Sequence, residues 1–120
     1  MSAERFETSA EIVNGVRVVS VRGELDIATS PQVRELLGDA ATDAVRPLVI
    51  DLAACGFIDS TGLAALLQGA KPAPNGESHV AIVSPGGDVR RMLELTAIDK
   101  TIPVFESLDQ AVTAVLAVGR

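Results

Sequence analysis

Cysteine and histidine, the side chains that build disulfides and many metal centres, are almost absent from this sequence. Its 120 residues include one cysteine and one histidine. A disulfide needs two cysteines, and structural zinc and iron–sulfur sites are built mainly from several Cys or His ligands. We therefore expect neither a disulfide framework nor a metal site.

Aromatic side chains and positive charge are also scarce. Phe, Tyr and Trp together make up 2% of the residues, and the net charge at pH 7 is −6. Proteins that bind nucleic acid or anionic membranes need clustered Lys and Arg, and many nucleic-acid sites stack bases on aromatic rings. We expect no direct contact with nucleic acid or with a membrane.

Long apolar runs are missing as well. None approaches the roughly 20 residues that a helix needs to cross a bilayer. The first residues, MSAERFETSAE, lack the basic and then apolar pattern of a secretion signal, so we expect a cytoplasmic protein. A hydrophobic content of 48% over this length fits one compact domain, and residues 1–120 are predicted to form it.

What the sequence does contain is an alternation of short β-branched segments with segments of helical periodicity, which is typical of an α/β fold. Residues 5–23 predict two strands joined at Asn14-Gly15, a pair that accepts the positive φ angles of a type I′ turn. Further strands are predicted at 46–55, 78–84 and 101–105, and helices are predicted within 26–42, 61–70, 85–99 and 107–118. This order indicates a mixed sheet of about five strands, an N-terminal hairpin followed by parallel crossovers, with about four helices.

Three of the predicted helices begin at residues that can cap them. Thr29 or Ser30 can cap the first helix. Asp88 is the predicted cap of the third helix. In the last helix, Ser107 and Gln110 have the spacing of a capping box.

The stretch CGFIDSTGLAAL, residues 55–66, places Asp59, Ser60 and Thr61 side by side between a predicted strand and a predicted helix. Each of the three side chains can cap the helix, and one cap is enough. The stretch also follows the carboxyl end of a parallel strand, where the sites of open α/β sheets tend to lie. The surplus hydroxyl marks a candidate site.

Catalysis is disfavoured at this stretch because the necessary partners are missing. A hydrolase elbow reads G-x-S-x-G, and here Ile58 stands in place of the first glycine. The lone histidine, His79, lies at the start of a predicted strand one crossover away. The glycine-rich SPGGDV turn has neither P-loop nor dinucleotide-binding spacing. We expect no enzyme activity and no cofactor.

Three other features have simple structural interpretations. Cys55 is predicted to be a small buried residue beneath the turn. The pair Arg90-Arg91 could bind a partner's acid, but a solvated helix face explains it more simply. Asp51 is predicted to end a strand and to make local hydrogen bonds.

Ser60 has the features of a phosphate acceptor. At a helix N-terminus its hydroxyl would meet solvent, and the partial positive charge of the helix end would stabilise a phosphate. Phosphorylation would add about −1.5 to −2 charges beside Asp59. A partner that binds this surface would then meet like charge, which costs several kcal/mol. The sequence thus predicts a binding switch.

Three segments together resemble the STAS domain of bacterial anti-sigma factor antagonists: VRGELDIATSPQVRELL, LVIDLAACGFIDSTGLAALL and VRRMLELTAIDKTIPVFESLDQAV. The resemblance extends from about Val16 to Leu116. The motifs follow in the expected order, and they are Gly23-Glu24-Leu25-Asp26, the strand ending in Asp51, Asp59-Ser60-Thr61-Gly62-Leu63 and Leu93-Glu94-Leu95-Thr96.

The resemblance implies a partner-switching protein of the stress response. In this family the unphosphorylated antagonist binds an anti-sigma factor that is also an ATP-dependent serine kinase, and so frees a sigma factor for transcription. The kinase phosphorylates the serine after the motif aspartate, and a PP2C-type phosphatase restores it. On this sequence Ser60 is the acceptor, Asp26 and Asp59 flank it on the docking surface, and Thr61 and Gly62 shape the helix start. A free monomer is also implied.

Several alternatives stay open. Asp26 could instead cap the helix that begins near Ser30. The segment around Lys71 departs from the family pattern, so the partner-facing surface there is expected to differ. Relatives commonly carry glycine where Ala97 stands, so we expect that helix end to be formed differently. The alternative function is a STAS module that serves as a scaffold of a stress-signalling or transport complex without a phosphorylation cycle.

Overall fold

The strands predicted from the sequence form one sheet in a computed structural model of the chain, which describes residues 5–41, 47–69 and 79–117. Within those residues the elements are β1 (Glu7–Val13), β2 (Val16–Leu25), α1 (Ser30–Ala41), β3 (Leu48–Ile58), α2 (Ser60–Gly69), β4 (Val80–Val83), α3 (Gly87–Leu95), a short 3₁₀ helix (Ile98–Lys100), β5 (Val104–Phe105) and α4 (Leu108–Ala117). The predicted α/β class is confirmed.

Strands that are neighbours in the sheet are also neighbours in the chain, in the order β1-β2-β3-β4-β5. β1 and β2 are antiparallel, and the remaining pairs are parallel. The hairpin turns at Asn14 and Gly15 with φ angles of 52° and 82°. Both the mixed sheet and the positive φ angles of this turn are as predicted.

The helices cover the two faces of the sheet unequally. Successive crossovers that move along the sheet in one direction with one hand place their helices on one face. α1, α2 and α3 pack there, against a core that includes Val19 and Ile50. α4 packs on the other face, where Val18 and Val49 point. β3 is therefore buried on both faces near its start, which explains its continuous apolar sequence.

Two strand bounds differ from the prediction. β3 continues past residue 55 to Ile58, because β2 runs beside it as far as Leu25 and the two strands stay paired to that point. β5 is shorter than predicted and contains only Val104–Phe105. The segment around Lys71 lies outside the described residues.

The helix starts give one correction and one partial confirmation. The prediction that Asp88 caps α3 was wrong. The N-cap is Gly86, and Asp88 lies inside the first turn of the helix, whereas a capping side chain belongs to the residue that precedes the first turn. One half of the capping box predicted for α4 is confirmed, since the Gln110 N–H donates to Ser107 Oγ over 3.2 Å. The returning bond goes to the residue before Ser107 and not to the Ser107 N–H. The Gln110 side chain accepts from the N–H of Glu106, also over 3.2 Å.

The turn after α3 keeps a left-handed residue although no glycine stands there. Ala97 has φ 62° and ψ 18°, and its N–H donates to the carbonyl of Glu94 over 3.1 Å. The expectation that this end would be formed differently was therefore wrong for the backbone. An alanine in this conformation costs roughly 1 kcal/mol or more that glycine would not.

Candidate functional site

The candidate site lies where two parallel strands end side by side. Leu25 at the end of β2 pairs with Ile58 at the end of β3, and Asp26 and Asp59 follow these two residues directly. The Asp59 N–H continues the pairing by donating to the carbonyl of Leu25 over 3.1 Å. The topology thus brings together two motifs that are far apart in the chain.

Asp59 is the residue that caps α2. Its Oδ1 accepts a hydrogen bond from the Gly62 N–H at 2.9 Å, and its carbonyl accepts from Leu63, also at 2.9 Å. Its second carboxylate oxygen, Oδ2, accepts from the N–H of Ile27 at 3.3 Å. Because the aspartate satisfies the helix start, the cap does not need the hydroxyl of Ser60 or Thr61.

Ser60 is the first residue of α2 and is exposed, whereas Thr61 is half-buried. The hydroxyl of Ser60 therefore meets solvent at the positive end of the helix dipole, where added negative charge is stabilised. This is the placement that the sequence predicted for the candidate acceptor.

Gly62 lets α2 approach the end of β2 closely. A Cβ atom at this position would lie 2.5 Å from the Leu25 carbonyl oxygen and 2.8 Å from the Leu25 Cγ. These distances are far below van der Waals contact, and one of the two groups is backbone, so any larger residue would push the helix outward. Gly62 fixes where the Ser60 hydroxyl stands relative to the strand ends.

Asp26 holds the loop between β2 and α1. Its Oδ1 accepts from the N–H groups of Ala28 and Thr29 at 3.0 and 3.1 Å. The Thr29 hydroxyl turns back to donate to the Glu24 carbonyl at 2.8 Å, and the Ser30 hydroxyl is buried without a hydrogen-bond partner. These bonds shape the turn that precedes α1 and do not reach an N–H group of the helix itself. The alternative that Asp26 caps α1 is therefore not confirmed, and contact between Asp26 and a partner stays a prediction.

Exposed apolar side chains lie on three segments that meet at the site, and the sequence analysis missed them. Ile27, Phe57 and Leu95 are 73%, 47% and 70% exposed. They come from the β2–α1 loop, from the end of β3 and from the end of α3. Phe57 carried a weak signal, because it directly precedes the buried Ile58 in a strand with alternating sides. The sequence around Ile27 and Leu95 carried no signal that distinguishes these exposed residues from apolar residues of the core.

A groove of about 500 Å³ separates α3 from the start of α2. The side chains that line it come from the end of β3, the start of α2 and one face of α3, and they are Phe57, Ile58, Asp59, Ser60, Asp88, Arg91, Met92 and Leu95. Its volume is in the range of sites that hold small ligands or anchoring side chains. We refer to it below as the Ser60 groove.

Two predicted structural roles need correction. Arg90 does not lie on a solvated face: it is half-buried, and its Nη1 donates to the Ser84 carbonyl at 3.0 Å. Asp51 makes the expected local hydrogen bond, to the Ala53 N–H at 2.9 Å, but it lies within β3 and not at its end. β3 is longer than predicted because it stays paired with β2.

The remaining candidates have the predicted structural roles. Cys55 is buried in the main core, and its Sγ donates to the Phe57 carbonyl at 3.3 Å. His79 directly precedes β4, and its carbonyl accepts from Leu48 at 2.7 Å. Over residues 5–41, 47–69 and 79–117, no group of three His, Cys, Asp or Glu side chains could hold a metal ion.

The helices of the described part of the chain are all too short or too polar to cross a membrane.

Comparison with known proteins gives a family and several relatives. A family model described as STAS domain matches residues 7–111. An anti-sigma-F factor antagonist, RsfB, of Mycobacterium tuberculosis is 38% identical over 103 residues, which are 85% of this chain and 83% of the relative. An anti-sigma-B factor antagonist of Staphylococcus aureus is 28% identical over 91 residues, 76% of this chain and 84% of the relative.

Among solved structures, the fold is similar to that of an anti-sigma factor antagonist from Mycobacterium paratuberculosis. The TM-score is 0.83 at 38% identity, with 93% of this chain and 95% of the other covered. The two chains therefore share one fold over nearly their whole length.

Proposed function

This chain belongs to the STAS domain family. Because the relatives that are 38% identical to it over most of its length are anti-sigma factor antagonists, we propose that it binds an anti-sigma factor and thereby releases a sigma factor for transcription. The chain acts as a regulator and not as an enzyme. It works as one cytoplasmic domain that is monomeric when free, and it needs no cofactor and contacts no nucleic acid directly.

The observation that carries this proposal is the position of Ser60 within an exposed apolar surface. Phe57 and Leu95 are exposed and line the groove that contains Ser60, and the exposed Ile27 is tied to the same site by the hydrogen bond from its N–H to Asp59. Exposed apolar residues that cluster around a polar centre are typical of a protein–protein interface. A partner that covers them would enclose the Ser60 hydroxyl as well.

Phosphorylation of Ser60 is the proposed off-switch. In the unmodified protein the hydroxyl is small and neutral, so a partner can pack on Ile27, Phe57 and Leu95. A phosphate adds about −1.5 to −2 charges and three hydrogen-bond acceptors at the same point. The partner would have to desolvate that charge next to Asp59, and this lowers its affinity. The fold survives, because Ser60 faces solvent at a helix N-terminus.

The switch requires two enzymes acting on Ser60. We assign the kinase activity to the anti-sigma factor itself, so that the protein held by the antagonist is also the one that ends the contact. A PP2C-type phosphatase hydrolyses the phosphoserine and restores binding. Asp26, Asp59, Thr61 and Gly62 complete the proposed partner-binding surface, with Asp59 and Gly62 fixing where Ser60 stands.

A capture experiment tests the proposal. Immobilised wild-type chain, Ser60→Asp and Ser9→Asp are exposed to lysate of the source organism, and bound proteins are identified by mass spectrometry. Ser9 is exposed on β1, so Ser9→Asp adds the same charge away from the site. We expect the wild-type and Ser9→Asp chains to capture a kinase-like anti-sigma factor, and Ser60→Asp to lose it. Equal capture of the same partners by all three would instead indicate a STAS scaffold or transport module without a phosphorylation switch.

A further inference from the structure

Arg91 faces the groove that contains Ser60. Asp88, Arg91, Met92 and Leu95 line this groove from α3, at the spacing that places residues on one helix face. The buried residues of the same helix, Val89 and Leu93, point to the sheet instead. The register of α3 thus directs Arg91 toward the start of α2.

The two adjacent arginines of α3 have different surroundings. Arg90 is half-buried, donates to the Ser84 carbonyl and lies 3.4 Å from a Glu94 carboxylate oxygen. Arg91 is exposed, and of the described residues that line the Ser60 groove it is the one cation. Arg90 fastens α3 to the end of β4, which leaves Arg91 as the guanidinium that a ligand in the groove can reach.

The charges that face Arg91 in the groove are those of Asp59 and Asp88. Both carboxylate oxygens of Asp59 accept hydrogen bonds from backbone N–H groups of α2 and the β2–α1 loop. Asp88 is exposed in the first turn of α3. A phosphate on Ser60 would therefore enter a groove with two acids and a single guanidinium.

We propose that Arg91 binds the phosphate of phosphorylated Ser60 across this groove, an inference that rests on the proposed phosphorylation of Ser60. A guanidinium presents paired N–H donors that match a phosphate, and the resulting hydrogen bonds are charge-assisted. Phe57 and Met92 line the same groove, so a phosphate–guanidinium pair formed there would shield part of their apolar surface. Phosphorylation then reduces the apolar surface that a partner can contact, in addition to introducing repulsive charge.

The test uses chain in which phosphoserine is incorporated at position 60 during translation, so that neither a kinase nor a partner is needed. The ³¹P chemical shift is followed against pH, which reports the second pKa of the phosphate, about 6 in the absence of neighbours. A nearby cation favours the dianion and lowers this pKa. Arg91→Gln should therefore raise it, by about half a pH unit for a pair on the surface.

Three further variants make the result specific. Arg34→Gln removes an exposed arginine of α1 and should leave the titration unchanged. Arg91→Lys keeps the positive charge and should retain most of the wild-type pKa. Asp88→Asn removes a facing acid and should lower the pKa further. The circular dichroism spectrum of each variant is recorded to confirm that it is folded.

If Arg91→Gln and Arg34→Gln titrate like the unsubstituted phosphorylated chain, Arg91 does not bind the phosphate and the inference is overturned. That result would leave the proposed function untouched, because phosphate at Ser60 could still repel a partner. Conversely, a shift seen only in Arg91→Gln supports the contact even if no kinase for Ser60 is found.

Discussion

The backbone N–H of Ile27 donates a hydrogen bond to Asp59 Oδ2 over 3.3 Å, although 32 residues separate the two in the chain. The other oxygen of the same carboxylate caps α2 through Gly62. One side chain therefore ties the loop that carries the exposed Ile27 to the helix that carries Ser60. The two parts of the proposed binding surface are held in a fixed relation before any partner arrives.

Replacing Asp59 should loosen this connection and lower stability. Asp59→Ala removes both acceptors, and the loss of an N-cap alone costs about 1 kcal/mol of unfolding free energy. We expect a decrease of about 1–2 kcal/mol in urea unfolding monitored by circular dichroism. Asp88→Ala is the matched control, because α3 has no side-chain cap, and it should change stability by less than about 0.5 kcal/mol. Equal effects of the two substitutions would show that the Asp59 hydrogen bonds contribute little.

Replacing each of two helical glycines with alanine should change the unfolding free energy in opposite directions. Gly62→Ala places a carbon 2.5 Å from the Leu25 carbonyl oxygen, and overpacking of this kind costs about 1–3 kcal/mol. Gly38→Ala, on the exposed face of α1, meets nothing within 4 Å and should gain up to about 1 kcal/mol from helix propensity. Urea unfolding of the two variants should therefore give changes of opposite sign. Stabilisation by both would mean that α2 can move away from β2 without cost.

Because Ala97 has a left-handed backbone conformation, replacing it with glycine should raise the stability of the protein. In Ala97→Gly the steric cost of φ 62° disappears, while the unfolded chain gains freedom, and the balance should be a gain of about 0.5 kcal/mol. Ala114→Gly, inside α4, should lose about 1 kcal/mol. Thermal unfolding of both variants checks the difference in sign. A loss in Ala97→Gly as large as that in Ala114→Gly would contradict the strained turn.

The apolar surface should matter for binding and little for folding. Leu95→Ser removes a side chain that is 70% exposed, so the unfolding free energy should change by no more than about 0.5 kcal/mol. Affinity for the captured anti-sigma factor, measured by calorimetry, should fall about tenfold, which is the effect of losing an interface residue worth about 1.4 kcal/mol. Ile12→Ser, 53% exposed on β1, is the control and should bind normally. Unchanged affinity of Leu95→Ser would remove Leu95 from the interface.

Local sequence signals predicted those features of the fold that depend on a few adjacent residues. Asn14-Gly15 specifies its turn because few other residue pairs accept two positive φ angles. Ser107 and Gln110 specify the start of α4 because both groups of the capping interaction lie within one turn. The cap at Asp88 failed since Gly86 and Gly87 admit backbone angles that start the helix earlier, at positive φ.

The sequence predicted the central residues of the candidate site, Asp59 and Ser60, but not the residues that surround them. Ser60 and Asp59 lie next to each other, and their roles follow from the strand end and helix start on either side. The hydrogen bond from Ile27 and the positions of Phe57, Leu95 and Arg91 depend on how β2, β3 and α3 come together in space. A solvent-exposed Leu95 has the same local sequence pattern as a buried leucine on an amphipathic helix, so the sequence alone does not separate them.

The most direct test of the switch compares the unmodified chain with the chain that carries phosphoserine at position 60, each titrated calorimetrically into the captured anti-sigma factor. The unmodified chain should bind, and the phosphorylated chain should bind at least about tenfold more weakly, because like charge brought into an interface costs several kcal/mol. Equal affinities of the two chains would contradict the assignment of Ser60 as the residue that controls partner binding.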